Sequence, residues 1–173
     1  LRYSDVQRAT ELAMQAADLA RIKDATGKIY SHGLATSLGL LGFLCDRRGG
    51  YKQAFEYFQQ ALAIYEAERD YPAVIETLKQ IGGTCLQLGD YPEALAYYLR
   101  MERIANSVGD LSLQAIAANS LGFLYMRLSD WRKALEYLEA CMSLARDSGD
   151  ANMQAAALGY CCNCHTNLGE YDL

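Results

Sequence analysis

The stretch Ile81-Gly82-Gly83-Thr84-Cys85-Leu86-Gln87-Leu88-Gly89-Asp90-Tyr91-Pro92-Glu93-Ala94 decides the fold. It closes one helix and opens another. Leu78, Ile81, Gly82 and Cys85 stand at intervals of 0, 3, 4 and 7, which is one apolar stripe of a helix. Gly89 follows, a residue that tolerates the left-handed conformation in which many helices end. Asp90 then occupies an N-cap position, with Pro92 and Glu93 in the first turn, an approximate capping box. Ala94, Tyr97, Tyr98 and Met101 make the next stripe. The unit from 70 to 109 therefore reads as two antiparallel helices joined by a tight turn.

Working outward, the same punctuation returns every 40 residues. Gly49-Gly50-Tyr51, Gly89-Asp90-Tyr91, Ser129-Asp130-Trp131 and Gly169-Glu170-Tyr171 share that interval, as do Asp70, Asp110 and Asp150. Leu41-Gly42, Ile81-Gly82 and Leu121-Gly122 echo one another in the same way. Each such unit cannot bury its apolar face alone, so repetition at this length implies stacked units. The expected fold class is all-α, a right-handed α-superhelix (solenoid) of antiparallel helix pairs. About eight helices are predicted, near 4–25, 29–47, 51–67, 71–88, 91–107, 111–128, 131–147 and 151–168.

No Ser/Gly/Pro-rich stretch interrupts the period, so a single array over 1–173 is expected. Residues 4–28 read as the second helix of a truncated repeat, with Ser4 as N-cap and a long turn around Ala25 to Lys28. Residues 29–69, 70–109 and 110–149 read as full repeats, and 150–173 as a partial one. A start at Leu1 and a stop inside a further copy of the motif suggest a piece of a longer protein. Gly42, Gly82 and Gly122 are expected to face Ala54, Ala94 and Ala134 across each hairpin, where missing bulk lets helix axes approach.

Sixteen basic and twenty-one acidic side chains give a formal net charge of −5, with the acids scattered. That balance argues against a nucleic-acid binder, which would carry a clustered basic surface. No run of about 18 apolar residues exists to span a membrane. Cys45 and Cys85 repeat at one helical slot and read as buried fillers rather than a disulfide pair. Reduced thiols point to a cytoplasmic location.

Cys161-Cys162-Asn163-Cys164-His165 contains Cys-x-x-Cys-His, the attachment signature of c-type haem, and clustered Cys and His can also bind zinc. Both readings are set aside. Cys161 and His165 fall in slots that are core in the other units, and no second Cys/His pair completes a metal site. No cofactor and no metal are expected. Nor is an enzyme: His32 and His165 are the only histidines, His32 has no recognisable partner in sequence, and no phosphate-binding glycine loop appears.

The pattern resembles the tetratricopeptide repeat family. Leu-x-x-Leu-Gly-x-x-Cys over Leu38 to Cys45, the Gly-Asp-Tyr turn at 89–91, Ala94, Tyr98 and the small or apolar residues Ala61, Met101 and Cys141 carry the resemblance. The 40-residue unit is similar to the long-helix variety found in kinesin light chains and in many bacterial signalling regulators. Ser129, Ala118 and Cys162 depart from the pattern, replacing the turn glycine, a large apolar residue and the helix glycine.

The resemblance implies a protein-interaction module whose first helices line a concave face and hold a peptide or a partner helix with apolar anchors. The stripe opposite the core places Phe43, Lys79, Gln80, Leu86, Asn119, Phe123, Met126, Arg127, Tyr160 and Asn163 there. The basic, Asn-rich clamp that chaperone-binding members use for a C-terminal carboxylate is not matched. Two other readings remain: a sensor or regulatory segment of a larger signalling or transcription-regulating protein, and an oligomerisation module that self-associates through its end repeats.

Overall fold

The computed structural model describes residues 3–22 and 29–169. Among them every regular element is an α-helix: α1 (Tyr3–Arg21), α2 (Ser31–Arg47), α3 (Tyr51–Glu68), α4 (Tyr71–Leu88), α5 (Tyr91–Val108), α6 (Leu111–Arg127), α7 (Trp131–Ser148) and α8 (Ala151–Leu168). From α3 onward the bounds lie within a residue of those read from the period. Ser4 falls inside α1 and so is not its N-cap. The expected long turn at 25–28 lies outside the described residues.

The turn chemistry follows the aspartates. The Asp70 carboxylate accepts from the Ala73 N–H at 3.2 Å, and Asp130 from Lys133 N–H at 3.2 Å. Asp150 accepts from Met153 N–H at 2.9 Å, and Asp110 from both Ser112 and Leu113. Each cap satisfies an amide that the helix leaves unpaired, which is worth about 1 kcal/mol. At the other ends, Gly89 closes α4 with φ of 78°. Ser129 occupies the equivalent position after α6 with φ of 59°, and Arg69 follows α3 with φ of 58°. Tyr51, Tyr91 and Trp131 open the second helix of each hairpin and are half-buried.

The chain forms two compact units, Leu1–Asp90 and Tyr91–Leu173. In the first, α1 packs on α2, α2 on α3 and α3 on α4, with α2 also touching α4. Its core holds Leu38, Ile75, Leu78 and Ile81, all essentially inaccessible to solvent. In the second, α5 packs on α6, α6 on α7 and α7 on α8, and α6 also touches α8. Leu121, Leu124, Leu138 and Cys141 fill that core.

The helix glycines do bring helices together, and Gly122 faces Ala134 as expected, its Cβ position lying 3.5 Å from the Ala134 carbonyl oxygen, but the tightest contacts are with larger side chains. A Cβ on Gly42 would lie 2.7 Å from the ring of Phe58, and one on Gly122 would lie 2.7 Å from Leu138. Phe58 and Leu138 are each one turn beyond Ala54 and Ala134. The alanines are buried completely, yet the glycines receive the larger side chain that follows them.

Candidate functional site

Helices α2 and α4 share one face of the first unit. Thr84 on α4 donates to the Asp46 carboxylate on α2 at 3.1 Å, tying the two helices together. Beside them opens a cleft of about 300 Å³, lined by Thr36, Gly39 and Phe43 from α2, by Glu76 and Gln80 from α4, and closed by aromatic side chains of α3. Phe43 is 44% exposed, large for a phenyl ring on a packed helix. Gly39 adds no bulk, since nothing lies within 4 Å of where its Cβ would be. The absence of that side chain keeps the cleft open.

Phe43 and Gln80 thus line one cleft. Lys79 is half-buried next to it, and Lys79 and Gln80 both donate to the Glu76 carboxylate, Gln80 at 2.8 Å. Glu76 stands at i, i+3 and i, i+4 spacing to Lys79 and Gln80, the separations that bring side chains together on one helix face. Leu86 is a correction. It is buried, with 6% of its surface exposed. Leu86 stands four residues after Gly82 and eight after Leu78, so it continues the core row instead of the open one.

The second unit presents an equivalent face on α6 and α8. The rings of Phe123 and Tyr160 meet at 6.0 Å between centroids, tilted by 55°. Phe123 is 37% exposed and Tyr160 half-buried, so the pair forms a partly open aromatic step. Asn119 lies one turn before Phe123 on the same face. Its Oδ1 is buried without a hydrogen-bond partner among the described residues. Asn163, one turn after Tyr160, is exposed and accepts from Asn167 Nδ2 through its carbonyl at 2.8 Å and its side-chain oxygen at 3.0 Å. Met126 is half-buried, and Arg127 is exposed in the last turn of α6.

His32 also corrects the reading of the sequence, because it has partners. Its Nδ1 lies 3.1 Å from Glu68 Oε2 and 4.0 Å from Asp70 Oδ2, and its ring packs edge-on against Tyr65. Ser31 donates to the other oxygen of Glu68. Hydrogen bonds from Ser31 and then His32 hold the Glu68 carboxyl below its ordinary pKa.

The Cys-x-x-Cys-His segment lies in α8 with its side chains divided between two environments. Cys161 and Cys164 are buried, whereas Cys162 is exposed. Burial pushes the thiols of Cys141 and Cys161 up to about 11. Among the described residues no group of three or more His, Cys, Asp or Glu is placed to hold a metal ion. No described helix is long and apolar enough to cross a membrane.

Comparison with known proteins locates this architecture. A tetratricopeptide repeat family model matches residues 4–67 and 33–107, and a second tetratricopeptide repeat model matches 117–151. A search of the curated proteins returns no match. Among solved structures, the apo form of RapI superposes with a TM-score of 0.82 at 16% identity, covering 99% of this chain and 46% of that one. Aspartyl phosphate phosphatase F from Bacillus subtilis gives 0.80 at 21% identity, covering 91% of this chain and 40% of that one. BtubC from P. vanneervenii gives 0.67 at 19% identity, with 98% and 76% covered. The chain therefore spans less than half the length of the first two. At such identities the likeness is one of fold.

Proposed function

Because the chain belongs to the tetratricopeptide repeat family, we propose that it is a protein-binding segment that captures an extended or helical stretch of a partner on the first-helix faces of its hairpins. The observation that carries this reading is the Asn119–Phe123–Tyr160 surface. It sets a partly exposed aromatic pair beside an amide whose oxygen is buried and unsatisfied. An unpaired buried acceptor costs about 1–3 kcal/mol. Turning that amide toward the N–H of a guest backbone relieves the cost, while the aromatic step receives an apolar side chain. In the first unit Phe43 is the corresponding anchor, with Glu76 and Gln80 as polar partners. The ligand is a segment with apolar anchors and free backbone N–H groups.

The test is selection of peptides from a displayed library on the whole chain, followed by affinity measurement on Phe123→Ala and Phe43→Ala. A hot-spot aromatic contributes about 2 kcal/mol, so a selected peptide should weaken about 30-fold on the variant of the unit it uses. Helicity should be unchanged by circular dichroism. Peptides that bind both variants as well as the parent would refute the assignment. Light scattering at high concentration separates this reading from self-association, for which a strictly monomeric chain leaves no room.

A second reading is favoured by the likeness to aspartyl phosphate phosphatase F. In it, capture of a ligand on these faces regulates the output of a larger signalling protein. Ligand-induced protection from hydrogen exchange in helices away from the contact would support it; protection confined to the contacting helices would not. Six thiols and no disulfide among the described residues fit a reducing compartment, so we place the protein in the cytoplasm.

A further inference from the structure

A different cleft opens in the second unit, between α5, α6 and α7, with a volume of about 360 Å³. It is bordered by Gln114 and Ala118 of α6, which lie on another side of that helix from Asn119 and Phe123. Glu102 and Asn106 come from α5, and Glu136 and Tyr137 from α7. Three helices thus converge polar groups on one hollow whose floor includes a buried alanine methyl.

The charge in this hollow is unbalanced. Glu102 and Glu136 face a single cation, Lys133. That ammonium is already engaged, since it lies over the Tyr125 ring, 4.6 Å from its centroid. Among the described residues neither Glu102 nor Glu136 has an ion pair or side-chain hydrogen bond, and the amides of Asn106 and Gln114 are likewise unpaired. Tyr137 stacks one face on Tyr125 at 5.5 Å and 10°. Burial, and then the Glu102 carboxylate facing it, raise its pKa, so the phenol stays a neutral donor and acceptor at physiological pH.

We propose that this cleft is a binding site for a guanidinium group, supplied by an arginine side chain of a partner protein. Four unpaired acceptor-bearing side chains on three helices suit a planar cation with five N–H donors better than a compact ammonium. A guanidinium is weakly hydrated and stacks on aromatic faces, which matches Tyr137 beside Glu102. The methylene stem of an arginine has apolar lining to cover in Ala118, Ala140 and Leu144. The site lies between α5, α6 and α7 and meets α6 at Gln114 and Ala118, not at the Asn119 and Phe123 of the peptide surface, so it does not depend on that reading.

The test is an NMR titration of the whole 173-residue chain with N-acetyl-arginine amide, its neutral citrulline isostere and the peptide Ala-Arg-Ala. The arginine compounds should give saturable shifts at the amides of Gln114, Ala118 and Tyr137. The citrulline isostere should bind about fivefold or more weakly, the loss expected for one charge-assisted hydrogen bond. Glu102→Gln should weaken arginine binding by a similar factor with an unchanged circular dichroism spectrum, and Tyr137→Leu provides a second variant if that one unfolds. Phe123→Ala should leave these shifts intact. Equal shifts with citrulline, indifference to both substitutions, or binding of the free amide with exclusion of Ala-Arg-Ala would each overturn the proposal.

Discussion

Ser129 holds a φ of 59° at a turn where its equivalent, Gly89, holds 78°. A side chain in that region carries a steric penalty of about 1–2 kcal/mol. Replacing Ser129 by Gly should therefore stabilise the protein by about 1 kcal/mol and raise Tm by about 2–4 °C. A calorimetric scan decides it, and a lower Tm would contradict the assignment. Gly122 predicts the opposite sign. Alanine there gains about 1 kcal/mol of helix propensity, but its methyl would sit 2.7 Å from Leu138 in a filled core. Overpacking of that kind costs about 1–3 kcal/mol, so Gly122→Ala should be neutral to destabilising by chemical denaturation, never stabilising. Asn119→Ala removes an unsatisfied acceptor, so stability should hold or rise while peptide affinity falls. The cysteines divide by exposure: iodoacetamide at pH about 8 should label Cys162 rapidly and leave Cys141, Cys161 and Cys164 until the protein is unfolded. Mass spectrometry of partially labelled protein reads this directly.

At the scale of the element, α2 begins without the cap its counterparts have. Tyr30 precedes it and makes no side-chain cap, whereas α4, α6, α7 and α8 each start on an aspartate. Ser31 and His32 instead bond Glu68, in the last turn of α3. Because these bonds depress the folded-state pKa of Glu68, their contribution is complete above the ordinary carboxylate pKa. It is lost as pH falls through the lowered value. The parent should thus lose stability on acidification more steeply than Glu68→Gln, whose side chain does not titrate. Parallel pH–stability curves for the two proteins would show that the clasp contributes nothing. This clasp was not legible in the sequence, because its partners are 36 and 37 residues apart and no local pattern joins them. The helices themselves were legible, since an aspartate or glycine at each turn and a 3.6-residue apolar period leave little choice of bounds. Leu86 was misplaced for the converse reason. Two adjacent rows on α4 are apolar, and the sequence alone does not say which of them a neighbour covers.

For the molecule as a whole, the 40-residue period determines the hairpin fold class, and the structure brings Phe43 beside Gln80 and Phe123 beside Tyr160. What the period does not contain is depth. Whether Asn119 is satisfied, or whether three helices leave a hollow around Tyr137, depends on side-chain packing that no repeat register encodes. Stability in such a chain is nearly a sum of neighbouring-hairpin terms. Leu121→Ala should cost about 2–5 kcal/mol, and by hydrogen exchange the lost protection should concentrate in α6 to α8, with α2 and α3 affected far less. Uniform loss throughout would argue for a single cooperative block. One further consequence comes from the residue that opens α7. Trp131 is the only indole in the chain and is half-buried. Its emission is therefore an unlabelled optical reporter confined to one hairpin, and a red shift preceding the fall in ellipticity would time the loosening of that hairpin against the melting of the rest.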